Sequence, residues 1–452
     1  LARESLRPPS LRHDALWMMG GQLGAALLQA AYFVLIGRAL GSAQYGAFVG
    51  VVALVSVGSQ FSGLGMEMLL LREVSREPRQ FAVSWGRALE VTVAGATVLL
   101  LLAVTLGHVI FARALWPLLP YVALADGLFG RLLQVASRAL QATRQMRWAA
   151  VLPVGMSAAR AGVAAVFFRL VETGRVTATA GGWVAMYWTA SAAAALLALA
   201  VLTARLGWPR FGRVRGRDLS EGLSFAVSSS SISAYNDLDK TLLVGAGQMQ
   251  AAGIYGAAYR VVDAATMPIY SLFTAATPRF FRAGAGGNAA GSVAEMEALM
   301  RSMLRRALPA TVLVSALLFL VAPVLPVALG PSFAGAVEAL RWLCLLPVLR
   351  LLHYTWGTAV TASTSQWRRT AAQAAAAGLN LGLCAWLIPV WSWRGAAWAS
   401  LATDAALAAM SFAIWRHWAG RRRQLSVVSG QSPVVSGQFS VVGGPSCCSS
   451  PE

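Results

Sequence analysis

The chain has 452 residues, of which 57% are hydrophobic and only 12% charged, and its mean hydropathy is +0.60. A soluble domain must cover itself with polar surface, and this composition cannot, so the chain reads as an all-α polytopic membrane protein. A formal net charge of +19 would suit nucleic acid in a soluble protein, but here the basic residues fall between apolar runs, where they act as topology signals, and no nucleic-acid partner is expected.

Residues 1–15 are a short basic segment assigned to the cytosol. A helix needs about 20 apolar residues to cross the ~30 Å hydrocarbon core. That rule places spans near 16–37, 47–70, 88–111, 118–138, 148–170 and 181–204, the N-terminal lobe at 16–204. An arginine-rich linker follows at 205–218. Further spans near 221–246, 251–274, 307–329, 337–360, 370–390 and 396–416 make the C-terminal lobe at 219–416. The run from Leu16 to Ile36 is too long for the core of a signal peptide and reads as a retained anchor.

The arginines provide an independent test of the count, because short cytoplasmic loops are enriched in them. Alternate connections carry Arg72, Arg76 and Arg79, then Arg144 and Arg147, then Arg205 to Arg217, then Arg279 to Arg306, then Arg368 and Arg369, and last Arg416 to Arg423. The opposite connections hold only Arg38, Arg113, Arg175 and Arg394. One miscounted span would scramble this alternation, so about twelve spans with both termini cytoplasmic are expected. Six spans per lobe give both lobes the same orientation, hence a pseudo-two-fold along the membrane normal and a central cavity between them.

The two lobes also echo one another in sequence. Ile36 to Val52 and the stretch at 236–263 share a layout of helix end, glycine, short small-residue turn and new apolar run, with Tyr45-Gly46 matching Tyr255-Gly256. No loop is long enough for a catalytic ectodomain. The longest, from Thr277 to Arg306, contains the amphipathic stretch EMEALMRSMLRRAL.

Charges inside spans cost at least about 2.5–3.5 kcal/mol on insertion scales, so they should face a cavity or a partner. Ser56, Gln60, Gly63 and Glu67 fall on one helical face, as do Ser229, Ser233, Asn236 or Asp237, and Lys240, the sole lysine; Arg131, Gln134, Arg138 and Gln141 form a third stripe. Three such faces predict a wet, partly cationic lumen. Asp237 and Lys240, Arg260 and Asp263, and Glu338 and Arg341 are i, i+3 pairs able to neutralise one another within a helix. Arg131, Arg160 and Arg350 have no carboxylate at that spacing, which favours a role in the lumen. Candidate substrate-binding residues are therefore Arg131, Arg160, Arg350, Arg341, Arg260, Lys240 and Gln60, and candidate ion-coupling residues are Asp237, Asp239, Glu67 and Asp126. Glu90 and Asp404 fit ion coupling or helix-to-helix contact equally.

His353, the one histidine well inside a span, reads as hydrogen-bonded packing. Neither the histidines nor Cys344, Cys384, Cys447 and Cys448 have metal-ligand spacing, and no cofactor is expected. Residues 417–452 read as a basic segment and then a disordered tail, with a seven-residue repeat at Ser426, Pro433 and Ser440 and too little apolar content to fold.

The stretch from Gly37 to Glu77, with its Leu-Gly turn, Tyr-Gly-x-Phe entry and Gly-Leu-Gly exit before Arg-Glu, resembles the first hairpin of bacterial polysaccharide flippases. NDLDKTLLVGAG followed by AAGIYGAAYRVVD, Met267-Pro268 and TPRF is similar to that family's seventh and eighth helices. The resemblance covers about residues 16 to 416 and points to the O-antigen and exopolysaccharide branch of the multidrug/oligosaccharidyl-lipid/polysaccharide exporter superfamily. It implies a V-shaped pair of lobes in the bacterial inner membrane. It also implies alternating-access translocation of a polyprenyl-pyrophosphate-linked oligosaccharide, with Na+ or H+ as possible coupling cation and other polysaccharide assembly proteins as partners. Asp237 or Asp239 matches the family's usual seventh-helix aspartate. The rival readings are an ion-coupled drug exporter of the same superfamily, a lipid II flippase, and an enzyme, either a polysaccharide polymerase or a membrane glycosyltransferase. A drug exporter for cationic substrates would favour an acidic or apolar lumen, and an enzyme would present a sizeable outer loop.

Overall fold

Two of the expected hairpins are made inside long helices by single residues, because a positive φ at one position is enough to turn the chain. The computed structural model describes residues 11–112, 115–284, 289–363 and 366–428, and among them it is helical without strands. Helix α1 (Leu11–Gly63) is broken at Gly41, where φ is 67° and ψ 172°, into the first and second spans. This conformation is open to glycine and strained for residues with a Cβ. Leu64 and Gly65, also at positive φ, end the second span, and α2 (Met66–Arg76) continues as an amphipathic helix with Met66, Leu69, Leu70 and Val74 buried. Glu67 thus lies beyond a break, not at the end of a continuous stripe.

The remaining N-terminal spans are α3 (Phe81–Ile110), α4 and α5 (Leu118–Val122 and Arg131–Ala142), α6 (Met146–Glu172) and α7 (Ala180–Leu206). Between α4 and α5 the helix widens into a π-helical segment, Ala123–Gly130. The C-terminal lobe holds α8 (Gly216–Gly245), α9 (Met249–Gly284) and α10 (Ala289–Val321). After these come the short α11 (Val324–Leu329), α12 (Ala336–Leu343), α13 (Leu346–Ser363) and α14 (Gln366–Val428). The expected amphipathic stretch is the first part of α10. The span expected at 307–329 ends earlier, at Val321, where Pro323 cannot continue the helix. The span expected at 337–360 is divided into α12 and α13, with Pro347 in the first turn of α13. Helix α14 carries the last two spans, separated at Ser392 with φ 54°, and continues past residue 416 to Val428; the repeats at Pro433 and Ser440 lie outside the described residues. Among the described residues, seven helical stretches are long and apolar enough to cross a membrane, two of them long enough to do so twice. The charges in α8 and α9 and the break between α12 and α13 keep these spans outside that set.

The cores reveal how the lobes meet. At the end of the bundle with few arginines, one apolar core takes residues from both lobes, among them Tyr45, Phe48, Trp183, Tyr255, Phe333 and Leu340. Tyr45 packs edge-on to Phe333, with ring centroids 5.8 Å apart. At the arginine-rich end the lobes have separate cores, one around Trp85, Leu140 and Leu202 and one around Phe280, Met296 and Leu351. The two echoed segments pack on each other in the shared region. A Cβ on Gly46 would lie 1.9 Å from the Met249 carbonyl oxygen, and one on Gly253 1.8 Å from that of Ser42. Only glycine permits this approach, and it brings α1 against α8 and α9. The cleft between the lobes is therefore closed where the core is shared and open towards the arginine-rich end.

Candidate functional site

Two of the polar stripes meet along the seam between α1 and α8. Ser56 donates to Asp237 Oδ2 at 3.0 Å and Gln60 Nε2 to Ser233 Oγ at 3.3 Å. Thr241 donates to the Gly50 carbonyl at 3.0 Å and Ser230 to that of Val57 at 3.1 Å. Serine and threonine hydroxyls on a helix face can bond across to a neighbouring backbone only where the helices approach closely, and the glycines provide that approach.

In the N-terminal lobe the π-helical segment places Asp126 opposite α6 and α7. Its Oδ1 accepts from Arg160 at 2.8 Å and from the Tyr187 hydroxyl at 2.7 Å. Arg160 also donates to Ser191 Oγ at 3.0 Å and lies over the Tyr187 ring, 4.3 Å from its centroid. The carbonyl of Gly127, within the widened turn, accepts from Ser62 at 2.8 Å. Arg131 donates to Gln134 at 2.9 Å and stands 3.7 Å from Glu67.

In the C-terminal lobe, two carboxylates two residues apart on one helix, about 200° round its axis, point to opposite sides. Asp237 faces α1 and is one-third exposed, whereas Asp239 points into the lobe and is fully buried. Asp239 accepts from the Tyr255 hydroxyl at 2.5 Å, from Ser400 at 3.2 Å and from the Lys240 backbone N–H at 2.7 Å. The Lys240 ammonium donates to the Asn236 carbonyl at 2.5 Å and to both carboxylates at 3.2 Å, with the Tyr259 ring 3.9 Å away. Arg350 of α13 is a second node: it donates to Asp263 at 2.8 Å, Tyr259 at 2.7 Å and Asn236 at 3.1 Å, and lies 3.8 Å from Asp404.

Arg131, Arg160 and Arg350, which have no carboxylate partner within their own helices, are all matched by carboxylates from neighbouring helices. Of the i, i+3 pairs, Asp237 and Lys240 do meet. Asp263 instead engages Arg350, and Glu338 makes a two-pronged pair with Arg394 at 3.1 Å. Arg341 stands apart, exposed, with its guanidinium 4.9 Å from the Phe319 ring centroid. Arg260 is left exposed beside Tyr45 of the other lobe, and among the described residues no carboxylate is within ion-pairing distance of it. Tyr32 is within electrostatic reach of Arg160 in its own lobe and of Arg260 in the other. The cleft thus presents a guanidinium that meets the Tyr45 hydroxyl and has, among the described residues, no carboxylate at ion-pairing distance, flanked by neutralised pairs, an arrangement that can hold an anion.

Tyr255, Tyr259, Tyr187, Ser191 and Ser400 are members of these networks that span-by-span reading of charges passes over. A usable signal exists: Tyr255, Tyr259 and Asp263 recur every fourth residue, as do Tyr187 and Ser191. Among the described residues no group of three or more His, Cys, Asp or Glu is placed to hold a metal ion.

The family described as "Polysaccharide biosynthesis protein" matches residues 11–283. The fold is similar to an inward-facing multidrug resistance MATE family transporter of the MOP superfamily, with TM-score 0.70, 14% identity, and coverage of 88% of this chain and 96% of that one. An outward-facing MATE family transporter matches with TM-score 0.60 and 14% identity over 91% and 96%. A MATE in complex with MaL6 matches with TM-score 0.59 and 16% identity over 91% and 96%. No curated protein matches the sequence.

Proposed function

Since the chain belongs to the polysaccharide biosynthesis protein family and has the two-lobed fold of multi-pass exporters, we propose that it flips a polyprenyl-pyrophosphate-linked oligosaccharide across the bacterial inner membrane by alternating access. The observation that carries the choice of cargo is Arg260. A lipid-linked pyrophosphate must leave the headgroup region with its negative charge, and a guanidinium without a carboxylate partner offers it charge-assisted hydrogen bonds. Arg160 and Lys240 stand behind it, already neutralised. The hydroxyls and amides of Ser56, Gln60 and Asn236 suit a sugar chain, while the polyprenyl tail stays in lipid beside the open cleft. A pump for organic cations would be opposed by the same arginine.

The arginine-rich end is assigned to the cytoplasm, with both termini there. The cleft then opens inward, where lipid-linked sugars are assembled, and the higher similarity to the inward-facing neighbour agrees with that orientation. The test is leaflet accessibility of an undecaprenyl-pyrophosphate oligosaccharide in proteoliposomes, comparing this protein, its Arg260→Gln variant and empty vesicles. Movement that depends on the protein and on Arg260 is expected. Movement of organic cations alone, with no lipid-linked glycan moved by a folded protein, would decide for the drug-exporter reading.

A further inference from the structure

Arg369 counts in the sequence among the arginines that mark topology, yet it is placed differently from its neighbours. Trp367 is 70% exposed and Arg368 is exposed, whereas Arg369, in the first turn of α14, is turned inward. Its guanidinium rests on α13 where Gly357 leaves room, since a Cβ there would lie 3.7 Å from Arg369 Nε and 3.9 Å from Cζ. One turn further along α13, Thr361 Oγ1 accepts from Arg369 Nη1 at 2.8 Å. The titratable groups within electrostatic reach are the hydroxyls of Tyr235 on α8, Tyr354 on α13 and Tyr270 on α9. Among the described residues no carboxylate pairs with Arg369.

Packing and topology do not account for this placement. A cation in the first turn of a helix opposes the helix dipole, and no acidic residue shares that turn. Drawing a charge in from the interface without a counter-charge costs free energy, and Arg368 shows that an arginine here can stay exposed. The inward side is also the side of the cleft. On α13, Arg350, Tyr354, Gly357 and Thr361 follow at helical spacing, so Arg369 lies along the face that carries Arg350, nearer the arginine-rich end. On α9, Tyr270 is seven residues past Asp263, the partner of Arg350, and hence on the same face; it is half-exposed, with its ring edge-on to that of Tyr354 at 6.0 Å.

We propose that Arg369 binds the phosphate group of a membrane lipid at the arginine-rich mouth of the cleft. Exposed tryptophan sits at headgroup level, and Trp367 is within one helical turn of Arg369, so a lipid phosphate reaches the guanidinium without leaving its leaflet. The guanidinium supplies charge-assisted hydrogen bonds, and the Tyr270 and Tyr354 hydroxyls are donors for the remaining oxygens. Two lipids carry this chemistry, the polyprenyl-pyrophosphate cargo and an anionic phospholipid of the same leaflet. On the flippase reading given above, on which this step rests, the site is a first station ahead of Arg260. The stretch of α9 from Arg260 to Tyr270 is about 15 Å long, so the pyrophosphate passes from one guanidinium that lacks a carboxylate to the next, across the Arg350–Asp263 pair.

The test counts sites. The full chain in nanodiscs of neutral phosphatidylcholine is titrated with radiolabelled geranyl pyrophosphate, and binding at both guanidiniums is expected. Arg260→Gln and Arg369→Gln should each remove one site and leave the other, the lost site weakening on the order of 10- to 100-fold. Arg369→Lys keeps the charge and should retain part of the second site. An Arg369 that only holds the fold would lower the thermal midpoint on replacement and leave the count of sites unchanged. Phosphatidylglycerol in the nanodisc separates the two sources: displacement of the probe from the Arg369 site alone makes phospholipid the occupant, and no displacement makes it the cargo. An unchanged count in folded Arg369→Gln overturns the site. So does an Arg260→Gln chain that binds nothing where the parent binds, a result that stands even if Arg369→Gln fails to fold. If no chain binds geranyl pyrophosphate, native mass spectrometry of retained phosphatidylglycerol decides. One molecule fewer on Arg369→Gln upholds the site and counts against the flippase reading, whereas equal retention overturns the site as well.

Discussion

Arg260 and Arg341 both lie within predicted spans, yet their surroundings differ in the way that decides function. Arg260 stands between the lobes beside Tyr45, whereas Arg341 lies against Phe319 within one lobe. A charge-assisted hydrogen bond contributes about 1.5–3 kcal/mol, so Arg260→Gln should slow glycolipid flipping on the order of 10- to 100-fold. Arg341→Gln should leave the rate within about twofold, as expected of an exposed charge. Initial rates in proteoliposomes of matched protein content measure both. Arg160 makes a second contrast, because removing it strands Asp126. Arg160→Met should cost about 3 kcal/mol, the lower end for a broken buried pair given that both groups retain some exposure. Adding Asp126→Asn should restore most of it, and thermal unfolding in detergent would expose the error if the double variant fell further than the single one. These pairings mark the limit of what could be read from residues alone. Helical spacing revealed that Ser56, Gln60 and Lys240 share polar faces, because that follows from 3.6 residues per turn. It could not pair Arg160 with Asp126, thirty-four positions earlier, or Arg350 with Asp263, since partners on different helices depend on packing.

The π-helical segment Ala123–Gly130 shows the same limit at the scale of an element. Composition and period located a span at 118–138, but nothing in ALADGLFG announces a wider turn. Its effect is to turn the residues after it about 100° relative to a regular helix for one inserted residue. Leu119 and Val122 thereby point into the shared core while Asp126 reaches Arg160 and Arg131 reaches Glu67. Deleting Leu124 should convert the segment to regular helix, after which one of these sets must leave its place. We expect a fall in thermal midpoint well beyond that from deleting one residue of the 174–178 connection, together with loss of flipping. Equal falls for the two deletions would mean that the wide turn positions nothing. The break between α12 and α13 was more legible in principle, because Pro347 lacks an N–H and clashes with the preceding turn.

For the whole molecule, the count of spans and their division into two lobes were readable because they rest on the hydrocarbon thickness and the alternation of arginines, neither of which needs side-chain contacts. The echo at Tyr45-Gly46 and Tyr255-Gly256 indicated related halves, but not that the halves would pack on each other through those glycines. That packing implies a specific motion. The shared core at the arginine-poor end must separate if cargo is to leave on that side, and the Ser42 backbone N–H, now 3.1 Å from Ser332 Oγ across the lobes, must part from it. A chain with Ser42→Cys and Ser332→Cys, and with Cys344, Cys384, Cys447 and Cys448 replaced by Ala, tests this. Oxidation should cross-link the two positions and arrest flipping at least tenfold, and reduction should restore it. Each single-cysteine chain, oxidised in the same way, should keep its rate, which separates the effect of the cross-link from that of the oxidant. If the cross-linked protein continued to flip lipid-linked glycan at its reduced-state rate, the arginine-poor end would not have to open. Alternating access would then give way to a lateral path that leaves the shared core intact.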